Sequence, residues 1–178
     1  MYNRVVNTSL IKSCSFFGHS KIELSEELKI DLEKLIKRLV LEEKVRFFYF
    51  GGFGEFDDLC YEIVSKLKEK YNDIKRVFVL HDIRHKRADK RPKWISEQRY
   101  EDIIYFELKF NYWYTKIYYR NCAIIENSDY VVFYVNNFLN SGAGKAFSYA
   151  KNKKSNFQYC NHKLKRLTRI SLVFIFYI

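Results

Sequence analysis

Proline and glycine are scarce in this chain of 178 residues, which holds one proline, Pro92, and six glycines. That scarcity excludes a Pro/Gly-rich linker or a low-complexity tract, and no internal repeat is present, so residues 1–178 are expected to form a single domain. The four cysteines, Cys14, Cys60, Cys122 and Cys160, stand far apart with no C-x-x-C pair and no matching histidine pair. Neither a zinc module nor a disulfide framework fits; buried free thiols are expected, and Cys160 with His162 supplies too few ligands for a metal. No metal site and no cofactor are therefore expected. No apolar segment reaches the roughly 18 residues that span a bilayer. The start, Met1-Tyr2-Asn3-Arg4, lacks the apolar core and small-residue cleavage site of a signal peptide. A cytoplasmic protein without a membrane partner is the expectation.

Apolar and aromatic side chains are plentiful, at 48% and 19% of the chain, which is ample material for a core. The formal charge is +11. It reads either as a footprint for phosphate-bearing partners or as lysine spread over solvated faces. Its two dense runs, Arg84 to Lys93 and Lys151 to Arg169, are read first as solvated faces or loops.

Strand and helix signals alternate. Ser13 to Gly18 reads as a strand, followed by a helix carrying Leu28, Leu32, Leu35, Ile36 and Leu39 behind the start signal Ser25-Glu26-Glu27. Val45 to Phe50 reads as the second strand, Asp57 to Tyr71 as the second helix and Arg76 to Leu80 as the third strand. The stretch from Ile83 to Phe110 is irregular, with a short helix expected near Ser96 to Ile104. A helix from Tyr112 to Asn127 then leads into the β-rich run Asp129 to Val135, of the kind buried in a parallel sheet. The tail, Ile170 to Ile178, reads as a last strand, with an exposed dimer edge as the alternative that leaves a homo-oligomer open. Strands separated by helices predict an α/β, Rossmann-like, doubly wound and mainly parallel sheet with helices on both faces.

Every glycine sits at an expected strand end. Gly51-Gly52-Phe53-Gly54 closes the second strand, and Ser141-Gly142-Ala143-Gly144-Lys145 opens the helix after the run ending at Val135. Glycine permits close approach of backbone to ligand, and the first amides of a helix face outward with a partial positive charge, so each turn suits an anion such as phosphate. Neither turn is the G-x-G-x-x-G fingerprint or a P-loop. Around them, Lys145 is a candidate point charge for phosphate, and Arg120 a candidate bidentate clamp if its helix faces the crevice. His19 reads equally as a donor to phosphate or ribose and as a structural histidine. His81, Glu55 and Asp57 are the acid–base candidates near the turns, with Asp57 more naturally a helix-capping or ribose-binding group. Trp94 and Trp113 are read as core aromatics before base-stacking ones.

Phe16-Phe17-Gly18-His19, Phe50-Gly51-Gly52-Phe53-Gly54-Glu55-Phe56-Asp57, Tyr119-Arg120-Asn121, Asn127-Ser128-Asp129-Tyr130-Val131-Val132 and Ser141-Gly142-Ala143-Gly144-Lys145 followed by Tyr149-Ala150-Lys151 together resemble the YpsA-like (DUF1273) branch of the SLOG superfamily. The likeness spans about residues 14–154 and leaves the tail, 155–178, atypical. Relatives in that superfamily include the "lonely guy" phosphoribohydrolases, the DNA-processing protein DprA and nucleotide-sensor domains. The resemblance implies a Rossmann-like fold and a nucleotide or ADP-ribose-like ligand, with Gly18, His19, Gly51, Gly52, Gly54, Arg120, Asn121, Ser141, Gly142, Ala143, Gly144 and Lys145 as the binding set. Three positions depart from the pattern. Ser20 stands where the branch commonly has arginine, Ser148 where the hydrolases carry their glutamate, and Ala146 where the deoxyribosyltransferase-like pattern has its nucleophile. Neither serine nor alanine stabilises an oxocarbenium-like transition state by charge. A binding module for a nucleotide-derived small molecule is thus the first expectation. A divergent N-glycosidase or phosphoribohydrolase using Glu55 or Asp57, and a DprA-like binder of single-stranded nucleic acid, are the alternatives.

Overall fold

The apolar runs that end in glycine become neighbouring parallel strands. The computed structural model describes residues 11–82, 84, 100–107, 115–135 and 141–153, and the backbone of 172–177. In chain order these form β1 (Lys12–Gly18), α1 (Glu26–Leu41), β2 (Val45–Phe50), α2 (Glu55–Lys70), β3 (Lys75–Val79), β4 (Asp102–Ile104), α3 (Lys116–Glu126), β5 (Tyr130–Val135), α4 (Gly142–Asn152) and β6 (Leu172–Tyr177). The strands make one sheet in the order β4-β3-β2-β1-β5-β6. The first five run parallel, and β6 pairs antiparallel with β5 from Tyr130↔Tyr177 to Val135↔Leu172. This is a Rossmann-like α/β fold.

Alternation along each strand divides the core into two layers. Cys14, Phe16, Phe48, Phe50, Val132 and Tyr134 face α1 and α2, where Leu28, Leu32, Ile36, Phe56 and Ile63 complete one cluster. On the opposite face, Phe17, Val131, Phe133 and Val135 meet Ile124 and Ile125 of α3 and Ala143, Ala146 and Ala150 of α4. The alanine stripe lets α4 lie close to the sheet. Helix starts follow local chemistry: the Ser25 side chain accepts from the Leu28 amide at the head of α1, and the Ser141 side chain does the same for Gly144 in α4.

Two expectations change. Residues 102–104 form an edge strand where the end of a short helix was expected; β3 offers an unpaired edge, and Asp102–Ile104 pairs with Val77–Val79 while the Leu80 amide donates to the Ile104 carbonyl at 2.8 Å. Glu101 ties down its start, accepting from the Arg76 amide at 2.7 Å and the Arg76 guanidinium at 2.6 Å. Helix α2 begins two residues before the expected Asp57, so Gly54 is its N-cap and Glu55, Asp57 and Asp58 all fall in its first turn. The tail strand is present as β6. Cys14, Cys60 and Cys122 are buried free thiols. No described helix is long and apolar enough to cross a membrane, and no cluster of metal-ligating side chains occurs among the described residues. Trp94, Trp113, Cys160, His162 and most of both basic runs lie outside the described residues.

Candidate functional site

Strand order reverses between β1 and β5. The helix after β1 packs on one face of the sheet and the helix after β5 on the other, so the two connections part and leave a crevice at the C-terminal strand ends. A cleft of about 380 Å³ occupies that place, within the roughly 300–1,000 Å³ range of small-molecule pockets. Its floor is the end of β1, from Phe16 to Ser20. One wall is the turn after β2, with Gly51, Phe53 and Asp57; Ile117, Arg120 and Asn121 of α3 and the head of α4, Ser141-Gly142-Ala143, supply the remaining sides. The ends of β1 and β2 and the head of the helix that follows β5 thus open onto one cavity.

The two glycine turns differ in their electrostatics. Helix α2 carries Glu55, Asp57 and Asp58 in its own first turn, so its N-terminal dipole is already met by carboxylates. Helix α4 has no acidic residue in its first turn. There the Gly144 amide is taken by the Ser141 side chain at 2.9 Å and the Lys145 amide by the Ser141 carbonyl at 3.0 Å. The amides of Gly142 and Ala143 have no intrahelical partner and sit at the cleft. A methyl group built on Gly142 meets no atom within 4 Å, so the space beside this residue is open.

The turn after β2 is a fastening. The Asp57 carboxylate accepts from the Gly52 amide at 2.7 Å. The Glu55 amide donates to the Ser20 carbonyl at 3.0 Å, and the Glu55 carboxylate accepts from the Ile22 amide at 2.8 Å, clasping this turn to the connection after β1. Gly54, at φ 98°, lies where an added Cβ would stand 2.5 Å from Ser20 Cα, so only glycine lets the two backbones meet. Gly18 has a comparable packing duty, because its Cβ would fall 2.3 Å from the Phe56 ring.

Arg120 is 2% exposed. Its Nη1 donates to the carbonyls of Gly51 at 2.9 Å and Val79 at 3.2 Å, and its Nε to Asn121 Oδ1 at 3.0 Å. It therefore staples the ends of β2 and β3 together. Nη2 makes no hydrogen bond to the described residues. Burial pushes the Asp57 carboxyl up to about 7 against the opposing pull of the Gly52 amide and Arg120, while burial lowers Arg120 to about 10, which leaves it charged at neutral pH. Burial also lowers His19, so its imidazole is neutral at pH 7. Asp82, beyond β3, is held well below the usual carboxylate range by Arg84 and Lys116 and serves as a structural ion pair.

Of the residues expected to bind, Gly18, His19, Gly51, Arg120, Asn121, Ser141, Gly142 and Ala143 line the cleft. Gly52 and Gly54 lie in the turn after β2 and Gly144 in the first turn of α4, all three outside the lining, and Lys145 is exposed outside it too. Of the acid–base candidates, Asp57 lines the cleft while holding the Gly52 amide, and Glu55 holds the Ile22 amide away from it. Phe53 and Ile117 also line the cleft and were not singled out from sequence. Phe53 lay in plain view between glycines.

No protein-family model and no curated protein matches this chain.

Proposed function

We propose that this protein is a cytoplasmic binding module for a nucleotide-derived small molecule, a nucleoside phosphate or an ADP-ribose-like compound. The carrying observation is the head of α4: two amides with no partner among the described residues and open space beside Gly142, in a helix whose first turn has no carboxylate, facing the switch-point cleft. A phosphate group there accepts from the Gly142 and Ala143 amides, and one of its oxygens or a ribose hydroxyl meets Arg120 Nη2. The neutral His19 imidazole supplies a further polar contact without adding charge. The likeness of these turns to the YpsA-like branch of the SLOG superfamily supports the same ligand class. Glycosidic chemistry is the weaker reading, because Glu55 and Asp57 are both committed to backbone amides.

Calorimetric titration with AMP, ADP-ribose and adenosine tests the proposal. AMP and ADP-ribose are expected to bind and adenosine to bind at least ten-fold more weakly. Gly142→Val, which places a branched side chain in open space at the helix head, is expected to fold normally and lose the phosphate-bearing ligands. Equal affinity for AMP and adenosine, or unaltered binding by Gly142→Val, would overturn it.

A further inference from the structure

The cleft is asymmetric. Its anion end lies at the head of α4, beyond β5, and its other end lies at the turn beyond β2, two strand positions away. Two strand spacings are roughly 9–10 Å, the scale of a nucleoside monophosphate from phosphate to base. At that far end stands Phe53, with 48% of its surface exposed. An isolated exposed aromatic needs no explanation, but this ring is in contact with two described side chains. The Arg120 guanidinium carbon lies 5.5 Å from the ring centroid, and the His81 ring meets it at 5.9 Å and 64°. The turn that carries it is clamped by Asp57 on Gly52 and by Glu55 on Ile22. Ile117 of α3, 46% exposed, is a second exposed large apolar side chain lining the same cleft. A held, solvent-facing ring loses little freedom when a flat partner stacks on it, and Arg120 behind the ring adds cation–π polarisation.

We infer that Phe53 is the platform on which the base of the ligand stacks, so that the site selects base-bearing phosphates over bare sugar phosphates. The inference rests on the functional reading above. It separates two tasks in one cleft: the α4 head takes the phosphate, and the Phe53 turn takes the base.

The test compares AMP with ribose 5-phosphate on the unmodified protein, Phe53→Ala and Phe53→Tyr by calorimetry, with thermal unfolding as the control for folding. AMP is expected to bind the unmodified protein more tightly than ribose 5-phosphate. Phe53→Ala is expected to weaken AMP about ten-fold or more, the range of base–aromatic stacking, and to leave ribose 5-phosphate within two-fold. Phe53→Tyr should restore AMP binding. Equal affinity of the two ligands for the unmodified protein, an unchanged AMP affinity in Phe53→Ala, or the same loss for both ligands would overturn the inference while leaving a phosphate site in place. Binding of neither ligand by the unmodified protein would overturn the functional reading, and the inference with it.

Discussion

Replacing Arg120 with alanine should cost this protein stability before it costs ligand. The side chain is almost fully buried, and its removal takes charged donors from the Gly51 and Val79 carbonyls and the compensating cation from the Asp57 carboxyl. Losing hydrogen bonds from a charged donor to two buried carbonyls costs about 3–5 kcal/mol together. Each hydrogen bond to a charged group contributes about 1.5–3 kcal/mol within such a total. A loss of that size is a large part of the ~5–15 kcal/mol by which domains are stable. At roughly 2–4 °C per kcal/mol for a chain of this length, the melting temperature should drop by roughly 6–20 °C. The cost should also depend on pH, since a protonated Asp57 leaves no buried charge uncompensated. Urea unfolding followed by circular dichroism at pH 8 and pH 5.5, with Arg120→Lys alongside, reads both effects. The loss should be larger at pH 8, with Arg120→Lys intermediate, because an ammonium keeps the charge but cannot serve two carbonyls and Asn121 from one planar fork. A loss below about 1 kcal/mol at pH 8, set against the ~3–5 kcal/mol of two hydrogen bonds from a charged donor, or an equal loss at both pH values, would refute the staple.

Asp57→Asn should flatten part of the pH dependence of stability. The folded pKa is raised to about 7, so the folded state holds a proton that the unfolded chain, near ~3.9, has released; the contribution is full below the unfolded value and is lost as pH rises toward about 7, at up to ~1.4 kcal/mol per pH unit. Urea midpoints from pH 4 to 8 for the two proteins check this, and parallel curves would count against it. Gly18→Ala should destabilise by about 1–3 kcal/mol through overpacking against Phe56, and Phe56→Leu should relieve part of that loss in a double-mutant cycle; additive losses would mean that the two do not press on each other.

The strand–turn–helix order was readable because hydrophobic runs stop at glycines, and β2 falls on the expected Val45–Phe50. The tail was readable from its nearly continuous apolar run and lies against β5. What local pattern could not convey was the duty of each glycine. Gly18 and Gly54 are glycines because Phe56 and Ser20 crowd them, whereas Gly142 faces open space; these reasons come from residues distant in sequence or from none at all. Arg120 read as an anion clamp facing the crevice because a helical pattern does not reveal which carbonyls wait beneath it. β4 was missed because three residues, Asp102–Ile104, carry no periodicity and owe their conformation to the edge of β3. The commitment of Glu55 to Ile22 was likewise hidden, since it spans two separate connections.

The central claim is that an anion enters the switch-point cleft at the head of α4. Backbone amide NMR during titration with AMP tests it most directly, because each hydrogen bond donor reports for itself. The Gly142 and Ala143 amides should shift saturably and with the same affinity as seen calorimetrically, while Gly52, whose amide is already held by Asp57, moves little. Static Gly142 and Ala143 resonances during saturating shifts elsewhere would contradict the claim.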